Sequence, residues 1–197
     1  MATSVIEKKS LNKTTIAKNN KTTNKDDEFI SFEMLKQFII TSINKNIDDN
    51  AKYIISYFHN NNVDVTNLKL QKLLYFLEAI YMVVLDENYL FDENFYAWNY
   101  GPVSKKVYEQ YKIFGSMPIT LDEPVNINKT NEIFIHNLFT MFNDYDVSDL
   151  IELSHQKGSP WYQIYIDNGE YIPKNIVIEK RLTKQWFSKI VVINDKK

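Results

Sequence analysis

The stretch that most constrains the fold is residues 68–85, which read LKLQKLLYFLEAIYMVVL. Apolar side chains recur there at helical spacing, over a face broad enough to be buried from more than one side. Thr66 or Asn67 is placed to cap such a helix, and the polar run at 86–88 is placed to stop it. A helix of this kind needs several neighbours, so the sequence predicts a central helix enclosed by the rest of the fold.

The flanking chain predicts mostly further helices. Amphipathic spacing indicates helices near 31–44, 48–60, 102–114, 130–143, 149–155 and 181–192, and another that begins at Ser159-Pro160. Pro102 is expected in the first turn of its helix, and Ser148 is expected as the N-cap of 149–155. Residues 95–100, FYAWNY, are rich in strand formers. We therefore predict a mainly α fold, a compact multi-helix single domain with a small β element near 95–100.

Composition and charge divide the chain into three parts. Residues 1–28 have few apolar side chains, which predicts a disordered basic tail. Residues 29–45 are predicted to form an extra N-terminal helix, and residues 46–192 the main domain. Residues 1–45 hold eight Lys and five acidic residues, a balance of +3, so the rest of a chain with net charge −2 carries −5. Because Arg181 is the single arginine, we do not expect a nucleic-acid partner.

Composition also excludes several classes of site. The chain contains no Cys, which excludes disulfides, thiolate metal sites and a cysteine nucleophile, and which fits a reducing compartment. No apolar run approaches the roughly 20 residues of a membrane helix, and the N-terminus lacks the apolar segment of a signal peptide. We therefore expect a cytoplasmic protein without membrane contacts.

No catalytic, metal-binding or cofactor-binding pattern is visible in the sequence. The three histidines lie far apart, and the four glycines are too scattered for a phosphate-binding loop. Ser154 and His155 are adjacent, but no third member of a triad can be identified. We expect no enzymatic activity, no metal and no cofactor. The one catalytic alternative is a cluster of Tyr75, Glu78 and His155, which matches no known reaction pattern.

Three groups of side chains have more than one interpretation. Lys69 and Lys72, with Gln71 between them, form a solvated helix face, which we favour, or a binding edge, or a site where Gln71 makes buried bonds to backbone. The large aromatic residues Trp98, Tyr100 and Trp161 pack in the core, which we favour, or form an exposed partner site. The basic C-terminal residues form the outer face of a terminal helix, which we favour, or a surface for an acidic partner or a nucleic acid; they are Lys174, Lys180, Arg181, Lys184 and Lys189.

Two blocks of sequence together resemble a known family. The first block comprises Leu70, Gln71, Lys72, Leu73, Leu74, Tyr75, Trp98, Gly101, Pro102, Val103 and Tyr108, and the second comprises His155, Ser159, Pro160 and Trp161. In this order and at this separation they resemble the Panacea family, the SocA-like or phage-associated proteins, over about residues 50–190. Ser154 stands where that family usually has Thr.

The resemblance implies a non-enzymatic antitoxin that binds and neutralises a protein toxin, by direct contact or by delivery to a protease. An alternative is a prophage-borne inhibitor of a host defence protein such as a nuclease, and a DNA-binding autoregulator is less favoured. The resemblance supplies no catalytic residues, so the motif residues are expected to be structural. Because a shared domain cannot by itself discriminate between partners, we expect contacts from the N-terminal tail, from the helix at 31–44 and from the lysines of the central helix. The named candidates are Met34, Lys36, Phe38, Lys69 and Lys72. The oligomeric state is left open.

Overall fold

The computed structural model describes residues 32–86, 89–173 and 175–190. The predicted tail at 1–28, the expected start of the first helix before Phe32, and Lys174 lie outside the described residues. Within them the fold is mainly α with a small antiparallel sheet, as predicted. The helices are α1 (Phe32–Ser42), α2 (Ile47–Asn60), α3 (Asn67–Val84), α4 (Lys105–Tyr111, continued by a 3-10 turn at Lys112–Phe114), α5 (Lys129–Phe142), α6 (Val147–His155), α7 (Pro160–Asp167) and α8 (Lys180–Ile190), and the strands are β1 (Phe95–Trp98), β2 (Gly101–Val103) and β3 (Ile176–Ile178).

The central helix α3 is enclosed on all sides. Its residues from Lys69 to Met82 are all buried, and it packs against α2, α4, α5, α6, α8 and β2. The Thr66 side chain caps it by accepting a hydrogen bond from the Lys69 amide. Burial of each large aliphatic side chain stabilises the fold by about 1.5–3 kcal/mol, so α3 is the largest single contributor to the core.

The sheet has the strand order β2-β1-β3, and both pairs are antiparallel. The expectation that Pro102 begins a helix is wrong, because Pro102 lies in β2 opposite Ala97. The Pro102 carbonyl accepts a hydrogen bond from Lys72 of α3 rather than from β1. In an antiparallel strand the N–H and C=O of one residue point to the same side, so a proline at this position costs the β1–β2 pair no hydrogen bond. The next helix, α4, begins at Lys105, after the cap residue Ser104.

Helix caps account for most of the observed boundaries. Ser159 caps α7 and Pro160 occupies its first turn, as predicted. The predicted Ser148 cap is wrong, because α6 begins two residues earlier than predicted, at Val147, and is capped by Asp146. The Asp146 carboxylate accepts hydrogen bonds from the amides of Ser148 and Asp149, and the Asp149 carboxylate accepts one from the Asp146 amide. This reciprocal capping box satisfies more free amides than a serine at 148 would.

Helix α1 is joined to the rest of the fold mainly at its C-terminal end. Ile43 is in the core, and the Asn44 amide donates to Asn131 Oδ1 on α5 at 2.8 Å. Among the helices of the described segments, none combines the length and the apolar character needed to cross a bilayer.

Candidate functional site

Lys72 lies at the centre of the family motif and is fully buried, at 0 % exposure. Its Nζ donates a hydrogen bond to the Pro102 carbonyl at 2.9 Å. Burial disfavours the charged ammonium and lowers the pKa of Lys72 to about 7. The expectation of a solvated face at Lys69 and Lys72 is therefore wrong. Because α3 is covered all round, its polar side chains face the sheet and neighbouring helices instead of water.

Gln71 makes the buried backbone bond that was one of the alternatives for this position. Its Oε1 accepts from the Ser104 amide at 2.9 Å, and its Nε2 donates to Asn67 Oδ1 at 2.9 Å. The Pro102 carbonyl and the Ser104 amide lie on the side of β2 that faces away from β1. Gln71 and Lys72 therefore occupy the place of a further strand, and they satisfy an edge that would otherwise be buried without partners.

Gly101 allows the hairpin to approach this lysine closely. Its φ is +98°, a conformation that side chains rarely adopt. A Cβ at this position would lie 2.8 Å from Ser154 Oγ and 2.9 Å from Lys72 Nζ. Glycine is therefore required here by both conformation and space, and the contact joins β2 to α3 and α6.

The second motif block packs on the same cluster. The His155 ring stacks on Trp161 with centroids 3.5 Å apart, and Trp161 Nε1 donates to the Trp98 carbonyl at 2.7 Å. Ser159 Oγ donates to the Ser154 carbonyl at 2.9 Å. Burial, and secondarily the charge of Lys72, lower the pKa of His155 to about 4, so His155 is neutral at pH 7. The structure thus brings the two sequence blocks into one buried assembly.

The chemical capacity of this cluster is limited by burial. Ser154 Oγ donates to the Ile151 carbonyl at 2.9 Å and Lys72 Nζ donates to Pro102, so both potential nucleophiles are engaged with backbone and enclosed. His155 Nε2 is buried and has no hydrogen-bond partner among the described residues. The arrangement is suited to fastening the hairpin, α3 and α6 to one another. Among the described residues no cluster of side chains is suited to holding a metal ion.

The catalytic alternative of Tyr75, Glu78 and His155 is not assembled as one site. Glu78 accepts from the amides of Leu90 and Phe91 at 3.0 and 2.8 Å, and the Tyr75 hydroxyl lies 3.2 Å from Thr183 Oγ1 on α8. Within the described chain, neither shares a hydrogen bond, an ion pair or a ring contact with His155.

Glu78 instead anchors α8. Its Oε1 lies 3.2 Å from Lys180 Nζ, without a well-aligned hydrogen bond. Lys180 also bonds the Phe91 carbonyl. Burial raises the pKa of Glu78, opposed by the Lys180 charge and the bonds from Phe91 and Leu90. Of the other basic side chains on α8, Lys184 pairs with Asp86 and Arg181 with Glu179, whereas Lys189 is exposed. Most of the basic side chains of this helix are therefore paired with carboxylates.

Exposed apolar side chains cluster on two surfaces of the described structure. The first, which we call the α1 face, comprises Met34, Leu35 and Phe38; Met34 and Phe38 are 61 % and 63 % exposed and lie one helical turn apart. On the other side of the same helix, Ile39 and Ile40 pack against the core. The α1 face is therefore the outward side of an anchored helix.

The second surface is an aromatic groove of about 630 Å³ beside the hairpin. Its lining includes Asn67, Gln71, Trp98, Tyr100, Tyr108 and Lys112. The Trp98 and Tyr108 rings meet edge to face at 4.8 Å, and Tyr100 is 66 % exposed. The three aromatic residues that were grouped in the sequence analysis therefore differ in exposure. Trp161 is in the core, Trp98 is half-buried, and Tyr100 faces solvent.

Comparison with known proteins identifies part of this assembly. Residues 70–162, just under half of the chain, match the family model described as antitoxin SocA-like, Panacea domain. The predicted family is confirmed over this range. No curated protein and no solved structure matches the chain. The matched range holds most of α3, the β1–β2 hairpin and the His155–Trp161 stack, while α1, α2, β3 and α8 lie outside it.

Proposed function

We propose that this protein is a non-enzymatic antitoxin that binds a partner protein toxin through the α1 face and neutralises it. The match to an antitoxin SocA-like domain supports an antitoxin-type function in general. The observation that carries the specific proposal is the exposed α1 face, which lies outside the matched range. The absence of Cys supports a cytoplasmic setting.

The α1 face has the properties of a partner site. Met34 and Phe38 present adjacent apolar surface on one side of a helix, which is how an amphipathic helix enters a groove on a partner. Lys36 lies between Met34 and Phe38 in sequence and is half-buried. Its charge adds to the larger effect of Lys184 in lowering the pKa of Asp86. A shared domain alone cannot distinguish between partners, and α1 lies outside the range that matches the family model, which supports a role for α1 in partner choice.

Two residues that the sequence placed in this surface do not fit it. Lys72 has no exposed surface, and Lys69 is also buried, at 8 % exposure. A long polar side chain contributes to binding only where it can reach the partner, so neither lysine is retained. The proposed contact residues are therefore Met34, Lys36 and Phe38.

The test is co-expression with the product of the neighbouring gene. We expect wild-type protein to rescue cells from toxicity and to be recovered in a complex with that product. Phe38→Asp should abolish rescue and weaken binding at least tenfold while the thermal transition of the variant is retained. Ile166→Asp, a change at an exposed apolar residue of α7, is the matched control and should preserve rescue.

Other outcomes would contradict the proposal in distinguishable ways. Rescue that survives Phe38→Asp would remove the α1 face from the interface. Absence of rescue combined with loss of phage immunity in the host would assign the protein to inhibition of a defence protein. Salt-sensitive binding to its own promoter in a gel shift would instead indicate an autoregulator.

A further inference from the structure

We propose that the aromatic groove is a second binding site, which takes an extended, uncharged segment of a protein chain with one bulky apolar side chain inserted between the rings. This goes beyond the function proposed above, because the groove is lined mainly by residues within or next to the family domain and is separate in sequence from the α1 face. Its occupant is a segment of a partner protein, because residues 1–28 of this chain are basic and have few apolar side chains.

The groove offers the contacts that a peptide uses. The rings of Trp98, Tyr100 and Tyr108 provide aromatic surface for an apolar side chain. Asn67 Nδ2 donates one hydrogen to the Tyr108 carbonyl, and Gln71 Nε2 donates one to Asn67 Oδ1. Each of these amide groups carries a second hydrogen. Peptide carbonyls are the acceptors that such donors bond in an extended chain.

The charge of the groove excludes strongly anionic or cationic occupants. Among the described residues no carboxylate side chain lines it, and the one cation among them, Lys112, is ion-paired with Glu109. A nucleotide or a nucleic-acid strand needs several cations or free backbone amides around its phosphates. The complementary partner for this lining is a neutral segment.

The size and surroundings of the groove favour a chain over an enclosed small molecule. Its volume of about 630 Å³ is enough for a large side chain with flanking backbone, and it is open to solvent along one side. Tyr100, one of the lining residues, is 66 % exposed, so its ring is accessible to an occupant.

The adjoining strand also fits an extended occupant. Asn175, which lines the groove, leads directly into β3. In the strand order β2-β1-β3, β3 is an outer strand, and among the described residues no strand pairs with its free side. By contrast, the outer side of β2 is satisfied by Gln71 and Lys72. An extended segment leaving the groove has an unpaired strand edge beside it.

The test uses acetylated and amidated pentapeptides Gly-Gly-X-Gly-Gly, with X as Trp, Phe, Leu, Ala, Glu or Lys. Binding to the full-length protein is followed by NMR through the indole N–H of Trp98, assigned with Trp98→Phe. We expect the Trp and Phe peptides to shift this resonance saturably, with affinity at least tenfold tighter than that of the Ala, Glu and Lys peptides. The resonances of the buried Trp161 and Trp186 should move little.

Variants separate the groove from the α1 face. Tyr100→Ala should weaken binding of the Phe peptide at least fivefold, with the thermal transition retained because the Tyr100 side chain lines the groove and is exposed. Phe38→Ala, an equally exposed aromatic on α1, should leave peptide affinity unchanged. The proposal would be overturned if none of the peptides shifted the Trp98 resonance saturably. It would also be overturned by a preference for the Glu peptide, by equal affinity of the Phe peptide for the wild type and for Tyr100→Ala, or by free indole that binds as tightly as the Trp peptide. None of these results depends on toxin rescue.

Discussion

Lys72 shows what a single buried charge does to this fold. In the unfolded chain it keeps its proton up to a pKa of 10.5, whereas in the folded protein burial lowers the pKa to about 7. Between these values the unfolded state binds more protons, so the unfolding free energy rises with pH in this window. The loss of stability that results from burying the charged Lys72 is fully present below pH 7 and is relieved as pH rises toward 10.5.

We therefore expect wild-type protein to gain stability between pH 7 and 9.5, with a slope of at most about 1.4 kcal/mol per pH unit from this group. Lys72→Met should reduce that slope, because methionine is never charged. Lys69, whose pKa is also lowered by burial, should still contribute to the slope that remains. Urea unfolding at several pH values measures it. Lys52→Met, at an exposed lysine of α2, should keep the wild-type slope. Equal slopes in all three proteins would contradict the burial of Lys72.

The role of Lys72 was not predictable from residue pattern alone. A lysine pair on an amphipathic helix is most often solvated. The hydrophobic pattern around Lys72 could show only that the apolar face of the helix was broad. The bond to Pro102 joins residues 30 positions apart, and periodicity carries no information about such contacts. Glu78 offered a clearer signal, since an acidic residue inside an apolar run needs a partner, but only the fold identifies that partner as Lys180.

Among the elements, the β1–β2 hairpin is held to α3 and α6 by a close approach that depends on Gly101. Gly101→Ala should destabilise the protein for two reasons. A side chain at positive φ costs about 1–2 kcal/mol, and the new Cβ would crowd Ser154 and Lys72, which adds about 1–3 kcal/mol of overpacking. The measurement is the urea midpoint, with the slope of the unfolding free energy against urea unchanged.

Gly158→Ala is the matched control for this prediction. Gly158 also has positive φ, +88°, but an added Cβ would meet no atom within 4 Å. It should therefore show the conformational cost without the crowding. Equal losses at Gly101 and Gly158 would mean that the hairpin can move away from α3 at little cost.

Elements with a clear sequence pattern were predictable, whereas the two three-residue strands were not. The helices at 32–42, 47–60 and 129–142 follow their spacing closely. The three residues of β3 are too few to show alternation, and β3 forms because Ile178 pairs with Phe95, far away in sequence. Pro102 was misplaced for a related reason: its fixed φ suits a first helical turn and an outer strand equally well, and tertiary bonds decide between them.

At the scale of the whole molecule, the family motif and the proposed partner surfaces are different sets of residues. The motif is mostly buried and joins α3, the hairpin, α6 and α7. The α1 face lies outside the matched range, and the groove uses the motif residues Gln71, Trp98 and Tyr108 as walls. The sequence could therefore indicate the family from residues that this fold mostly buries. It could not locate the groove, which exists only after distant segments meet.

The position at which α1 is removed decides whether its function can be separated from folding. Ile43 is in the core, the Asn44 amide donates to Asn131 Oδ1, and Asn131 Nδ2 returns a bond to the Asn44 carbonyl, both at 2.8 Å. Deletion of residues 1–41 leaves these contacts in place, whereas deletion of residues 1–45 removes them. We expect the longer deletion to lower the unfolding free energy by at least about 2 kcal/mol relative to the shorter one, from a lost aliphatic side chain and unpaired buried amides.

Urea unfolding of the two truncated proteins, followed by far-UV circular dichroism, measures this difference. The protein lacking residues 1–41 should unfold in one cooperative transition and fail to bind the partner, because the α1 face is gone while Ile43 still fills the core. It should also keep wild-type affinity for the Phe pentapeptide, since the groove is lined by other elements. Partner binding by this truncated protein would show that the contact lies elsewhere. Equal stability of the two truncations would show that Ile43 and Asn44 do not fasten α2 to α5.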